Sequence, residues 1–139
     1  MVLIRKAGLD EFERVLKFYR ANNYEPRVNP ADIISVAESG GEICGIVRLC
    51  EEEGCLVLRG MRVRIDLQRR GIGSRLLRAA EPVIGERMCF CIPHRHLRSF
   101  YAQIGFQEIR SNEAPSFLQG RYNRYRVEHG LDVILMRRK

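Results

Sequence analysis

The sequence has no apolar run near the ~18–20 residues that a membrane-crossing helix needs. Nor does Met1-Val2-Leu3-Ile4-Arg5-Lys6 carry the apolar core of a secretion signal, so the expectation is a cytoplasmic protein without a membrane partner. Cysteine is odd in number: Cys44, Cys50, Cys55, Cys89 and Cys91 fall mostly within expected strands. That argues for reduced, buried thiols rather than a disulfide framework. No internal repeat, low-complexity tract or domain boundary interrupts the chain, so residues 1–139 read as one domain. Helix-turn-helix, zinc-finger and RRM signatures are missing, and the arginines are scattered rather than clustered. The formal charge of +7 then fits a basic surface better than a nucleic-acid partner, and a basic nucleic-acid-binding module is kept only as an alternative.

What is present is an ordinary globular composition, 45% hydrophobic and 29% charged. A chain of 139 residues can bury roughly two-thirds of its unfolded surface. Val2 to Lys6 reads as a first strand, and Asp10 is placed to cap a helix with apolar positions Phe12, Val15, Leu16, Phe18 and Tyr19. Asn22 to Pro30 is loop-like. Ile34 to Glu38, Glu42 to Cys50 and Cys55 to Val63 are strands joined by short glycine turns, an antiparallel meander. The turn Glu51-Glu52-Glu53-Gly54 reads as a solvated hairpin tip rather than a metal or base site. Further on, Met88 to Ile92 is a short strand closed by Pro93. Gln107 to Arg110 and Asp132 to Met136 are expected to form a terminal hairpin. The insert between them, Ser111 to Leu131, is too long for a structureless loop and suits a partly amphipathic helix stopped by Gly130.

The most informative stretch runs from Met61 to Leu77. It reads as a strand reaching Ile65, a glycine-bearing turn, and a helix carrying Ile72, Leu76, Leu77, Ala79 and Ala80 at helical spacing, ended near Glu81-Pro82 and Gly85. Arg69-Arg70-Gly71-Ile72-Gly73-Ser74 would turn a row of backbone N–H groups outward at the positive end of a helix, a site for a phosphate or pyrophosphate. Gly71 and Gly73 let an anion approach the backbone, and Arg69 and Arg70 add charge. The dinucleotide pattern G-x-G-x-x-G fails because position 76 is Leu, and no G-K-[ST] follows.

Gln68-x-x-Gly71-x-Gly73 after a strand resembles the acetyl-CoA signature of the GNAT acyltransferase superfamily, [QR]-x-x-G-x-[GA]. About thirty residues on, Arg98-Ser99-Phe100-Tyr101-Ala102-Gln103-Ile104-Gly105-Phe106 resembles that family's late helix, which often ends F-Y-x-x-x-G-F. The pair in this order is far more specific than either alone, and the resemblance spans essentially the whole chain. It implies an α/β (α+β) GNAT fold, a mixed but mostly antiparallel sheet of six to seven strands splayed at its centre and flanked by about four helices. It also implies an N-acetyltransferase that moves the acetyl group of acetyl-CoA to a primary amine of a small molecule by direct attack. A homodimer is compatible with it.

Residue by residue, the resemblance gives the pyrophosphate to the backbone of Gln68, Arg69, Arg70, Gly71, Ile72, Gly73 and Ser74. Met61, Arg62 and Val63 would pair with the pantetheine arm, and the Val63 N–H would meet the acetyl oxygen. Tyr101 falls on the general-acid position, where a phenol (about 10) can protonate a departing thiolate (~8.5). Ser99 and Tyr101 complete the cofactor contacts with His94, which stands where the family often has Asn and can supply one donor and one acceptor. Acceptor contacts are expected from Tyr24 and Arg27 in the early loop, Arg59, and Tyr125 in the insert, which is either a scaffold helix or a lid presenting Arg121, Arg124 or Tyr125. Many family members carry a glutamate where this chain has Val57. The base is then Glu25, Glu42, a water chain or no residue at all, and a CoA-binding sensor without turnover is a second alternative.

Two rival chemistries are weaker. Cys89-x-Cys91-x-x-His94-x-His96 lacks the usual zinc spacings, so no metal is expected. A cysteine nucleophile is disfavoured because strand-buried thiols are usually inert. Arg48, Arg59, Arg62 and Arg64 are either solvent-facing or in the acceptor site, where an arginine would favour a carboxylate-bearing acceptor such as an amino acid.

Overall fold

Residues 43–50 read Ile-Cys-Gly-Ile-Val-Arg-Leu-Cys, and a strand this apolar must be covered on both faces. In the computed structural model, which describes residues 1–139, all eight are buried. They lie in the third strand, β3 (Glu42–Glu52), between β2 (Ile33–Ser39) and β4 (Cys55–Val63). With β1 (Leu3–Lys6) these form an antiparallel meander in the order β1-β2-β3-β4. Helix α1 (Phe12–Ala21) packs Val15, Phe18 and Tyr19 on the face that carries Ile34, Val36 and Ile46. Helix α2 (Ile72–Ile84) buries Ile72, Leu76, Leu77, Ala80 and Ile84 and covers the other face, the one to which Gly45 turns.

This meander and its two helices make one compact unit, Met1–Gly85; Glu86–Lys139 make a second. In the second unit β7 (Leu135–Arg138) lies between β5 (Cys89–Cys91) and β6 (Gln107–Ile109), antiparallel to both. Its helices are α3 (Arg98–Ala102) and α4 (Ser116–Asn123), the latter running on into a π-helical turn at Arg124–Glu128. The chain therefore carries seven strands and four α-helices, as the GNAT resemblance implies. No helix is long and apolar enough to cross a membrane.

Several boundaries differ from the sequence expectations, each for a local reason. Asp10 does not cap α1. The chain enters through a 3-10 turn, Leu9–Glu11, and the Glu11 carboxylate accepts the Gly8 N–H at 3.0 Å. The strand expected to reach Ile65 stops at Val63, because Arg64 turns back to Asp66 (2.7 Å) and leaves Ile65 82% exposed. Pro82 lies inside α2 rather than ending it. The helix runs two residues past it to Ile84, whose side chain is buried. The last strand starts at Leu135 rather than Asp132: Val133 makes only an isolated bridge to His94, and pairing runs on through Arg138. Helix α3 ends at Ala102, and tightening turns carry the chain to Gly105. Val127 is 80% exposed, so the insert's apolar face stops with Leu118 in α4.

Glu11 also anchors an ion network, accepting from Arg5 at 2.6 and 2.7 Å and from Arg14 at 2.7 Å, while Arg5 and Arg14 reach Glu38. The Arg5 guanidinium, then the Gly8 N–H, hold the Glu11 carboxyl at about 2, below its ordinary 4.5. A depressed folded pKa gives stability that is complete above about pH 4.5 and lost as the pH falls toward 2. Glu11→Gln is expected to cost about 1–3 kcal/mol at neutral pH. Urea unfolding of both proteins should show that gap closing across this acidic window.

Candidate active site

The register of β3 against β4 carries one irregularity. Ile46 faces Arg62, but Arg48 faces Arg59, so Gly60 and Met61 together oppose Val47. This is a β-bulge, one extra residue that bends its strand. Gly60 makes it with φ +67°, and a Cβ there would stand 2.5 Å from the Tyr19 hydroxyl and 2.8 Å from Arg48 Nε. The hydroxyl of Tyr19 donates to the Gly60 carbonyl at 2.8 Å and accepts from Arg48 Nε at 3.2 Å. Burial pushes the Tyr19 phenol well above its usual pKa and keeps it a donor. Arg48, expected at the surface or in the acceptor site, is 1% exposed, and its Nη1 donates to Asp32 (3.1 Å) and to the Arg27 carbonyl (3.2 Å).

Past the bulge, the Arg64 N–H donates to the Cys44 carbonyl at 2.9 Å, so Cys44 and Arg64 are a hydrogen-bonded pair. The next pair, Gly45 and Val63, is then a non-hydrogen-bonded one, and the Val63 backbone groups face away from β3. Gln68, expected at the pyrophosphate, donates its Nε2 to the Val63 carbonyl at 3.0 Å and ties the following loop to this strand end. Arg69 (φ +65°) and Gly71 (φ +82°) are both left-handed and flank Arg70, and such a backbone makes an anion-binding concavity. Gly71 caps α2, which continues through Ile72, Gly73 and Ser74, and nothing lies within 4 Å of where a Gly71 Cβ would stand. Arg69 and Arg70 are exposed beside it. A cradle of backbone donors, open to close approach and flanked by cations, fits the pyrophosphate of a coenzyme A.

A cavity of about 520 Å³ opens within the same unit, walled by the loop residues 27–30 with Asp32, by Arg48 and residues 50–52 of β3, and by Arg59. Of the expected acceptor contacts, Arg27 and Arg59 line it. Tyr24 does not: its ring packs edge-on to Tyr19 (5.0 Å) under the Arg62 guanidinium (4.6 Å). The acidic hairpin tip is solvated as expected, with Glu51, Glu53 and Gly54 exposed, and the β3–β4 hairpin stays paired to Glu52 and Cys55. Glu51 and Glu52 also lie along the cavity, with Glu52 3.3 Å from Arg59. Arg64 is at the surface against Asp66, 3.9 Å from Glu42. Val57 is 1% exposed opposite Cys50, whose thiol burial pushes up to about 12. Glu25 and Glu42 are exposed.

In the second unit Tyr101 is 6% exposed and flanked edge-on by Phe100 (5.0 Å) and Phe106 (6.2 Å). Ser99 and His94 are exposed, and the His94 ring stacks on His96 at 5.8 Å. Cys89 and Cys91 are buried, which keeps their thiols apart from those surface imidazoles, and burial raises the Cys91 pKa. Tyr125 is half-buried in the π-helical turn, 6.5 Å from His129. Sequence reasoning missed Asp32, Glu51 and Glu52. The one signal for them was Arg48 itself, a single charge in an unbroken apolar strand.

A bulged strand leading through a left-handed turn into a donor-rich helix start is the framework of an acyl-CoA-dependent acyltransferase. The acetyltransferase (GNAT) domain family matches residues 30–108, and the chain belongs to this family of N-acetyltransferases. No curated protein matches it. Among solved structures it is similar to N-acetylglutamate synthase from Neisseria gonorrhoeae complexed with coenzyme A and N-acetyl-glutamate, at 20% identity and a TM-score of 0.74. That match covers 99% of this chain but only 35% of the synthase. Escherichia coli ElaA matches at 15% identity and TM-score 0.73 over 100% of both chains. The PaiA N-acetyltransferase of Thermoplasma acidophilum, in complex with coenzyme A, matches at 16% identity and TM-score 0.63, covering 100% of this chain and 99% of its own. These likenesses fix the fold.

Tyr19→Phe removes the donor to Gly60 and the acceptor for Arg48 Nε, so it is expected to destabilise the protein by about 1–3 kcal/mol. Gly60→Ala, strained and clashing, should cost at least as much. Urea midpoints that fall by these amounts at unchanged m-value are the check.

Proposed function

We propose that this chain transfers the acetyl group of acetyl-CoA to a primary amine of a small molecule, with residues 1–139 acting as one catalytic domain. The observation that carries the reading is the left-handed pair Arg69 and Gly71 at the head of α2, tied by Gln68 to the outward-facing Val63. Coenzyme A in two of the solved relatives supports the donor class. N-acetyl-glutamate in the gonococcal synthase supports an amino acid or its derivative as acceptor. Five free thiols, four of them buried, support the cytoplasm as the place of work.

Acetyl-CoA supplies an acetyl group activated as a thioester. The N–H groups from Arg69 through Ser74 bind the pyrophosphate, and the Met61, Arg62 and Val63 backbone runs along the pantetheine arm, with His94 and Ser99 as further contacts. The Val63 N–H donates to the acetyl oxygen where negative charge develops. Tyr101 gives its phenolic proton to the departing sulfur, and its aromatic surroundings support a water-poor setting for that transfer. Most of the acceleration comes from holding amine and thioester together.

Calorimetric titration of acetyl-CoA tests the site. Wild type should bind, and Gly73→Glu should not, because its carboxylate meets the phosphates. The variant should stay folded: α2 has no acidic residue in its first turn, a helix start favours a negative charge, and Gly is the poorer helix former. Tyr101→Phe should lower kcat about 10²–10⁴-fold in steady-state assays. Binding without turnover across a broad amine panel would instead make the protein a CoA sensor.

A further inference from the structure

Most arginines of β3, β4 and the turn after them are paired with carboxylates. Arg48 meets Asp32 at 3.1 Å, Arg59 meets Glu52 at 3.3 Å, and Arg64 meets Asp66 at 2.7 Å. Arg62 differs. It is exposed, and its guanidinium meets no carboxylate or carbonyl of the protein. It is nonetheless held in place, 4.6 Å over the ring of Tyr24. That ring is fixed in turn. Asn23, left-handed at φ +60°, follows α1 and turns the chain back. The Tyr24 N–H then donates to the Tyr19 carbonyl at 3.0 Å, and the two rings pack edge-on at 5.0 Å. A guanidinium stacked on an aromatic face keeps the edge of its planar fork open to a planar anion.

Arg62 pairs with Ile46, so its side chain leaves the sheet on the face that α1 covers. The peptide bond that follows it carries the Val63 N–H, the donor assigned above to the acetyl oxygen. We propose that Arg62 selects the acceptor by binding its carboxylate. The acceptor is then an α-amino acid, whose amine stands one carbon from that carboxylate and so beside the thioester. This rests on the acetyl-transfer reading and names the acceptor class within it. The same guanidinium selects against other amines. A polyamine brings a second cation to Arg62, and a peptide N-terminus brings a neutral amide where the carboxylate would be. Tyr24 is a positioning residue: its stack orders the long Arg62 side chain before the acceptor arrives, which lowers the ordering cost of binding.

The test follows thiol release from acetyl-CoA with the common L-amino acids, their α-carboxamides, and a panel of diamines and polyamines. A carboxamide keeps the amine and removes the charge. At least one amino acid should be acetylated, with kcat/KM at least about ten-fold above that of its carboxamide. Arg62→Gln should reduce this ratio to below about three-fold, whereas a merely structural loss would lower both members alike. Tyr24→Leu, checked for folding by circular dichroism, should raise KM for the amino acid about two- to five-fold, and Tyr24→Phe less. The proposal is overturned if the carboxamide reacts as well as its amino acid, or if Arg62→Gln keeps the wild-type ratio. A ten-fold loss of coenzyme A affinity in Arg62→Gln, read by calorimetry, would give the guanidinium to a phosphate of the coenzyme and overturn it too. Turnover of diamines or polyamines alone would overturn it and leave the acetyl-transfer reading standing. Acetyl-CoA binding without turnover of any amine would remove both.

Discussion

One buried guanidinium holds the first unit in its working shape. A charge removed from water is tolerated only when most of its hydrogen bonds are met, and Arg48 meets those of Nε and Nη1 by drawing four pieces of chain together. Asp32 and the Arg27 carbonyl bring in the loop before β2, Tyr19 brings in α1, and the Tyr19 hydroxyl passes the connection to the Gly60 carbonyl in β4. Lysine could not do this, because its three donors radiate from one point rather than along a planar fork. Arg48 shares its face of β3 with Ile46, so the polar chain runs directly beside the apolar cluster of Val15, Phe18 and Val36. The cluster supplies the burial that makes the polar chain rigid.

What that rigidity controls is the backbone of β4. With one extra residue at Gly60 and Met61, β4 bends, and the register that follows turns the Val63 amide away from β3. Gln68 then grips the Val63 carbonyl, so the left-handed turn at Arg69 and Gly71 starts from a fixed point. Two donor sets, the strand amide and the helix start, are thus positioned by the same short covalent path. Donors that are pre-oriented in this way need no reorganisation when charge develops, which is where electrostatic catalysis draws its strength.

Legibility from sequence followed the physics of each feature. The cradle at Arg69 to Ser74 was readable because left-handed turns and close anion approach leave few residue choices, so glycine spacing records them directly. The meander and α1 were readable from periodicity, since Val15, Phe18 and Tyr19 return to one face. Features made by contacts distant in sequence were not. The Arg48–Asp32 pair spans 16 positions and Arg48–Tyr19 spans 29, and no local pattern announces either. Arg59 and Glu52 are closer, but only the β3–β4 register shows that they face each other. End effects were missed for another reason: Glu11 caps with a carboxylate at the third position, and burial of Ile84 continues α2 past Pro82.

The absence of a carboxylate at position 57 is consistent with where the charges went. Val57 is 1% exposed and lies against Cys50, and a glutamate there would need a partner that this apolar stretch of β4, Leu56 to Leu58, does not offer. One pair further along the hairpin the sheet reaches the cavity, and there Glu51 and Glu52 stand in polar surroundings beside Arg59. The carboxylates nearest to position 57 thus stand on the cavity wall, where Arg59 of β4 also lies. A β4 without a carboxylate at that position suits an acyl transfer that is driven by placement more than by acid–base work on the strand.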